Sequence, residues 1–287
     1  MKKSTRFLTI ALSVVMALTS LLCFTACEEK FDTVEFVANE LEGVEETEYV
    51  ICVSKAIPDG QAILAEINKA IASNIDDLIK RYDPSVSRPN ESIANELFMT
   101  INELRDEEGD DPIRFYTQYF KNFSYTDGYG ENLVGIDSEI LAVAAIALGR
   151  SLDTRQPLME QAYEAVKNGE GDVLASGIAL TDEVKANYLV SDVYATGKQQ
   201  IVALNVRKLH ELKDLKGLRI GVVSTKVGEK LVGDAIKNGV LKNSGAEMVV
   251  FATDTEAKNA IQNERIDCIV LDELPAKVII QRIQAGR

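Results

Sequence analysis

Residues 217–239 read GLRIGVVSTKVGEKLVGDAIKNG. The apolar run Ile220–Val223 is strand-like. It passes through a short polar turn into a helix that ends at an Asn-Gly stop. The same alternation continues in AEMVVFATDTEAKNAIQNERIDCIVLDELPAKVIIQRI (246–283), which reads strand, helix, strand, helix. It also runs upstream. IRFYTQYF (113–120) reads as a strand, SEILAVAAIALG (138–149) as a helix stopped by its Gly, and EQAYEAVKNGEGDVLASGIAL (160–180) as helix, turn and strand. KQQIVALNV (198–206) is a further strand. Strands alternating with helices predict an α/β fold with mostly parallel sheets, and the number of units suffices for two such sheets.

The upstream third needs a separate account. VEFVANELE (34–42) and YVICVSK (49–55) read as strands. Residues 60–82 space Ile63, Leu64, Ile67, Ile71, Ile75, Leu78 and Ile79 as one helix, ended by Asp83-Pro84. PSVSRPNES (84–92) has the composition of a linker. The following amphipathic helix carries one apolar stripe of Ile93, Leu97, Ile101 and Leu104, with Phe98 beside it. DEEGDD (106–111) reads as a solvated loop, because it lacks the alternating spacing and final Glu of a calcium loop.

Composition narrows the function. The chain has 287 residues, 46% hydrophobic and 26% charged, with a formal net charge of −14. A surface this acidic repels phosphate backbones, so nucleic-acid binding is disfavoured. The start, MKKSTRFLTIALSVVMALTSLLCFTAC, sets three positive residues before an uncharged run from Phe7 to Ala26, the layout of an export signal. Phe24-Thr25-Ala26-Cys27 resembles a lipobox. Residues 1–26 are therefore read as a lipoprotein-type signal, Cys27 as the lipidated residue and 27–33 as a tether. An uncleaved anchor and plain secretion are the alternatives. Removal of Lys2, Lys3 and Arg6 with the leader takes the formal charge from −14 to −17.

Cys52 and Cys268 lie in apolar strands and read as buried free thiols. No CxxC pair occurs, so thiolate zinc sites are not indicated. His210 is the only histidine and lies in polar surroundings. No metal, cofactor or Ser-His-Asp chemistry is implied, and the chain does not read as an enzyme. VVSTKVGEK (222–230) sits where a helix start can bind an anion, but lacks the spacing of nucleotide loops.

Four passages resemble one family, the extracytoplasmic solute-binding proteins of amino-acid ABC importers (bacterial solute-binding protein family 3). They are YTDGYGENLVGIDSEILAVAAIALG (125–149), NGEGDVLASGIALTDEVKANYLVSDVYATGKQQIVAL (168–204), LHELKDLKGLRIGVVSTKVGEKL (209–231) and DTEAKNAIQNERIDCIVLDELPAKVII (254–280). The family pattern closes with a strand returning to its first lobe, a "Glu-Glu-Tyr-x-Ile-x-Val-x-Lys" strand and a terminal helix. Here VEFVANELE, ETEYVICVSK and AILAEINKAIASNIDDLIKRY match those elements, ahead of the rest. The chain thus resembles a circular permutant, with an exchange of halves between two chains as the alternative.

The resemblance implies a two-lobed periplasmic-binding-protein-like (type II) fold. Lobe 1 would comprise 45–83 and 111–199, lobe 2 would comprise 34–44 and 200–287, and 84–110 would be a linker with its short helix. It implies an amino-acid-like ligand held between the lobes, an ABC permease partner, a membrane link through the N-terminal lipid and a monomer. The implied ligand-binding residues are Phe120 as cleft aromatic, Ser176 and Gly177 in a loop offering N–H groups, Thr181 at a helix start, Thr225 and Lys226 in the second lobe's turn, and Asp272 as partner of an ammonium. This sequence departs from the pattern at two positions. Val184 stands where the family's carboxylate-binding Arg is expected, and Ala179 where a hydroxyl is expected. Lys226 would supply a cation from the second lobe, or simply face solvent. Asp272 would meet the ligand, or cap the helix that follows it. These departures keep a second reading open, a degenerate or repurposed binding module acting as a sensor or protein-interaction unit.

Overall fold

The computed structural model describes residues 34–83, 92–120, 122–126 and 133–286. Residues 1–33, with the expected signal and lipidated cysteine, and residues 84–91 of the expected 84–110 linker lie outside the described residues. The elements below belong to one unit, Phe36–Arg287.

Two sheets carry the fold. The first takes the order β6 (Leu152–Arg155), β3 (Ile113–Tyr116), β7 (Val173–Ala179), β2 (Thr47–Ser54), β8 (Tyr188–Val190), with β9 (Ala195–Gly197) also pairing β2. β3 runs parallel to β6 and β7, and β2 runs antiparallel to β7. The second takes the order β1 (Phe36–Glu40), β10 (Gln199–Leu204), β13 (Cys268–Asp272), β11 (Arg219–Val223), β12 (Glu247–Phe251). β11 runs parallel to β12 and β13, β10 runs antiparallel to β13, and β1 runs antiparallel to β10. A short hairpin of β4 (Tyr125–Thr126) and β5 (Leu133–Val134) stands apart.

Residues 47–54 are a central strand because their run is apolar on both faces. Every residue of β2 but Glu48 is buried. Tyr49, Ile51 and Val53 point into the core shared with α1 (Gly60–Arg81) and α3 (Ile136–Leu148). Val50 and Cys52 point to the other face, against Met159, Ala162 and Val166 of α4 (Met159–Lys167). α1 buries Ile63, Ile67, Ala70, Ile71 and Leu78, and packs on the Ala-rich α3, which Gly149 ends in a left-handed cap. At the end of α1, Arg81 and Tyr82 both donate to the buried carboxylate of Glu139.

In the second sheet, Ile220, Val222, Cys268 and Val270 face α6 (Val227–Lys237). Ile269 and Leu271 face α7 (Asp254–Gln262) and α8 (Glu273–Gln284). Cys52 and Cys268 are buried free thiols, and His210 is exposed, as expected.

The chain crosses between the sheets twice, from β1 to β2 and from β9 to β10. The two crossings run side by side, with Leu41 N–H donating to Gln199 O at 2.8 Å. Two adjacent strand connections form a hinge of the kind that lets two lobes close on one another.

Two local expectations need correction. The helix after the linker, α2 (Ser92–Arg105), buries Ala94, Phe98 and Ile101, while Ile93 is 42% exposed. The stripe is rotated because Phe98, with the largest apolar surface, sets the docking face. The strand expected over 113–120 stops at Tyr116. Beyond it the chain turns tightly: Phe120 and Ser124 form a bridge around Asn122, whose φ is +75°. No helix among the described residues is long and apolar enough to cross a membrane.

Candidate functional site

Parallel α/β sheets bind ligands beyond the carboxyl ends of their strands, where loops from neighbouring units converge. Here the end of β7, the 117–124 turn, the β11–α6 turn and the end of β13 converge between the two sheets. Every candidate residue read from the sequence lies on one of these segments or on the short helix start after β7.

Lys226, at the start of α6, is buried, with 9% exposure. Its Nζ donates to the backbone oxygen of Ser176 at 2.5 Å and lies 4.0 Å from the centroid of the Phe120 ring. The reading of Lys226 as solvent-facing is therefore wrong, because the opposite lobe covers it. Burial pushes its ammonium down to about 8, against the pull of the Asp272, Asp137 and Asp254 carboxylates.

Phe120 is buried and stacks on Phe123, with ring centroids 5.3 Å apart. Gly177 has a φ of +58°, and a Cβ there would meet the Phe120 ring at 2.9 Å. Glycine thus lets the loop lie flat on the aromatic pair. The Gly177 N–H expected to serve a ligand instead donates to Asp137 Oδ2 at 2.8 Å. Asp137 is fully buried in the first turn of α3. Desolvation pushes its carboxyl up to about 7, opposed by Tyr194, the Gly177 N–H and Lys226.

Asp272 ends β13 and is buried. Its Oδ1 accepts from Tyr49 Oη at 2.5 Å and from Gln199 Nε2 at 2.6 Å. Its side chain makes no capping bond to α8, so the helix-cap reading does not hold. Thr181 caps α5 (Asp182–Asn187) by accepting from Val184 N–H at 3.1 Å. Val184 is buried with Val50, Cys52, Ile178 and Tyr188. Thr225, with φ +62°, donates its N–H to Glu229 Oε2 at 2.7 Å, so the chain's own carboxylate sits on the start of α6.

Two further bonds span the cleft at its edges. Ser224 Oγ donates to Glu160 Oε1 at 2.8 Å, and Arg282 Nη2 donates to Tyr119 Oη at 2.9 Å. Outward from Lys226 lies a cavity of about 470 Å³ walled by Tyr163, Tyr188, Val184, Thr181 and Thr225, with Glu160, Glu183 and Lys230 at its edge. A larger hollow of about 710 Å³ beside the crossing strands 43–48 has exposed Glu45, Glu46 and Glu48 on its rim. The smaller cavity is the better site, because the buried lysine opens into it.

Tyr49, Asp137, Gln199 and Glu160 escaped the sequence reading. Asp137 had a signal, an acid opening an otherwise apolar helix. The other three have none, because their roles depend on residues brought in from distant segments. Among the described residues, no group of three or more His, Cys, Asp or Glu is arranged to hold a metal.

Comparison with known proteins agrees with this architecture. The arginine-binding extracellular protein ArtP of Bacillus subtilis is 25% identical over 158 residues, 55% of this chain and 59% of that protein. The chain thus matches little more than half the length of this curated relative. A solved ancestral arginine-binding protein bound to arginine superposes with a TM-score of 0.54 at 27% identity, covering 61% of this chain and 75% of that one. An ancestral amino acid-binding protein described as a precursor of cyclohexadienyl dehydratase shares the fold, with a TM-score of 0.53 at 24% identity over 64% of this chain and 78% of that one. Residues 113–269 match the family model of the bacterial extracellular solute-binding proteins, family 3. With more than half of its length in that match, the two-lobed chain belongs to the bacterial extracellular solute-binding proteins of family 3.

Proposed function

We propose that the protein captures an amino acid between its two lobes outside the cytoplasm and delivers it to an ABC permease. The cleft itself carries this reading: an aromatic platform, Phe120, holds a cation over its face at the lobe interface, within the field of two buried carboxylates, Asp137 from one lobe and Asp272 from the other. Such a site suits an organic cation, because the ring face and the carboxylates both stabilise positive charge in a desolvated space. The arginine-binding relatives support a cationic amino acid as the solute. Phe120, Ser176, Gly177, Thr181, Thr225 and Asp272 are the proposed ligand-contacting or ligand-positioning residues, and Lys226 is a proposed residue of the same site that governs access to it. The residues of the leader support export and lipid anchoring at Cys27.

We also propose that the segment order is a circular permutation. β1, β2 and α1 precede the family match at 113–269, yet they supply an edge strand of one sheet, a central strand of the other and a core helix. They do so within one chain, which favours permutation over an exchange of halves.

A second reading has specific support. Val184 removes the guanidinium fork that would hold an α-carboxylate, and the Gly177 and Thr225 N–H groups are already bonded within the chain. A repurposed module would retain the fold without solute binding. Thermal unfolding of the purified protein against a panel of amino acids separates the two. Binding raises the midpoint with the logarithm of the ligand excess over Kd. A rise of several degrees with a cationic amino acid, abolished by Asp272→Ala, supports the transport reading. A cooperative transition that no amino acid moves supports the repurposed module.

A further inference from the structure

We infer that Lys226 is a built-in occupant of the cleft, its ammonium filling the cation subsite between the Phe120 ring and the Ser176 carbonyl, so that an amino acid must displace it to bind. This inference rests on the amino-acid reading above and adds what determines its selectivity.

Lys226 Nζ has a carbonyl acceptor at 2.5 Å and a ring face at 4.0 Å, both supplied by the other lobe. Asp137 and Asp272 add attraction from either side of the cleft. These are the interactions that would recognise a ligand's cation, and the hydrogen bond of the ammonium runs to the Ser176 carbonyl. Asp137 accepts from Gly177 N–H, and Asp272 accepts from Tyr49 and Gln199. A carbonyl and a ring face hold the lysine, and a solute cation can compete for both.

The helix start beside Lys226 is also occupied from within the chain. The Thr225 N–H, at a helix start suited to a carboxylate, already carries Glu229 Oε2 at 2.7 Å. The Glu229 carboxylate serves the start of its own helix, and the Lys226 ammonium crosses to the other lobe. Together with the Ser224–Glu160 and Arg282–Tyr119 bonds, it holds the lobes together without solute.

Lysine suits this role because its ammonium is a point charge on a flexible four-carbon stem. Lys226 and Tyr188 both line the 470 Å³ cavity, which gives the stem a route out. A solute then binds with its intrinsic affinity reduced by the fraction of molecules whose subsite is vacant. A solute whose own cation takes the place over Phe120 recovers the lost interactions. One without a cation does not.

The first test uses the unaltered protein. Brief acetylation with an amine-specific reagent, without solute, is followed by mass spectrometry. Lys226 should react at least about tenfold more slowly than Lys230, whose side chain is 77% exposed. Equal reaction rates would overturn the inference. The second test is calorimetric titration of L-arginine into the wild type and Lys226→Met, with a cooperative melt as the folding control. The variant should bind about tenfold more tightly. Equal affinity, or loss of binding in Lys226→Met, would overturn the lysine's role as a competitor while leaving the solute-binding reading intact. No amino-acid binding by either protein would overturn the solute-binding reading itself, and displacement with it.

Discussion

The ammonium nitrogen of Lys226 lies 4.0 Å from the centroid of the Phe120 ring, a contact between a turn of one lobe and a turn of the other. Removing the ring should release the lysine. Phe120→Leu keeps an apolar side chain but abolishes the quadrupole, so it should cost about 1–2 kcal/mol in urea unfolding. The same variant should raise the acetylation rate of Lys226. Unchanged acetylation would mean that the Ser176 carbonyl alone retains the side chain.

Gly177→Ala addresses the floor of the cleft. The position has φ +58°, and a new Cβ would press on the Phe120 ring at 2.9 Å. Strain and overpacking together should destabilise the fold by about 2–4 kcal/mol, read as a lower urea midpoint at unchanged slope. A neutral result would mean that the aromatic pair Phe120–Phe123 can slide.

Glu139→Gln examines whether the segment upstream of the family match is integral to the lobe. Glu139 on α3 accepts from Arg81 and Tyr82 at the end of α1. Leaving Arg81 without its buried counter-charge should cost about 3–5 kcal/mol. If residues 60–82 were an appendage, global stability would not change.

Stability should also depend on pH in two windows. Asp137 holds its proton up to about 7 in the folded protein, above its ordinary 3.8. Between those values the folded state binds the extra proton, so this group's contribution falls as pH rises. Lys226 gives up its proton near 8 instead of its ordinary 10.5. Between those values the unfolded state binds the extra proton, so this contribution rises with pH. The groups facing them are Tyr194 and Lys226 for Asp137, and Asp272, Asp137 and Asp254 for Lys226. Chemical unfolding from pH 4 to 10 should flatten in the lower window for Asp137→Asn and in the upper window for Lys226→Met. Persistence of either slope in its variant would assign the titration elsewhere.

The sequence alone determined the alternation of strands and helices from residue 113 onward, because hydrophobic period and Gly or Asn stops are local signals. It also marked 49–55 as a strand, since Val50, Ile51 and Val53 form an apolar, β-branched run, and the structure places Thr47–Ser54 as that strand with both faces covered. Cys52 and Cys268 were legible as buried thiols for the same reason. Only the tertiary structure decided the rest. The spacing of α2 permits two apolar stripes, and docking on the large Phe98 selects the one through Ala94 and Ile101. Nothing in Ser-Thr-Lys-Val at 224–227 marks its lysine as buried. The Ser176 carbonyl that receives it lies 50 residues away, and the Phe120 ring farther still. Burial of a charge is a property of the surfaces that meet around it, and those surfaces exist only once both lobes have folded and closed.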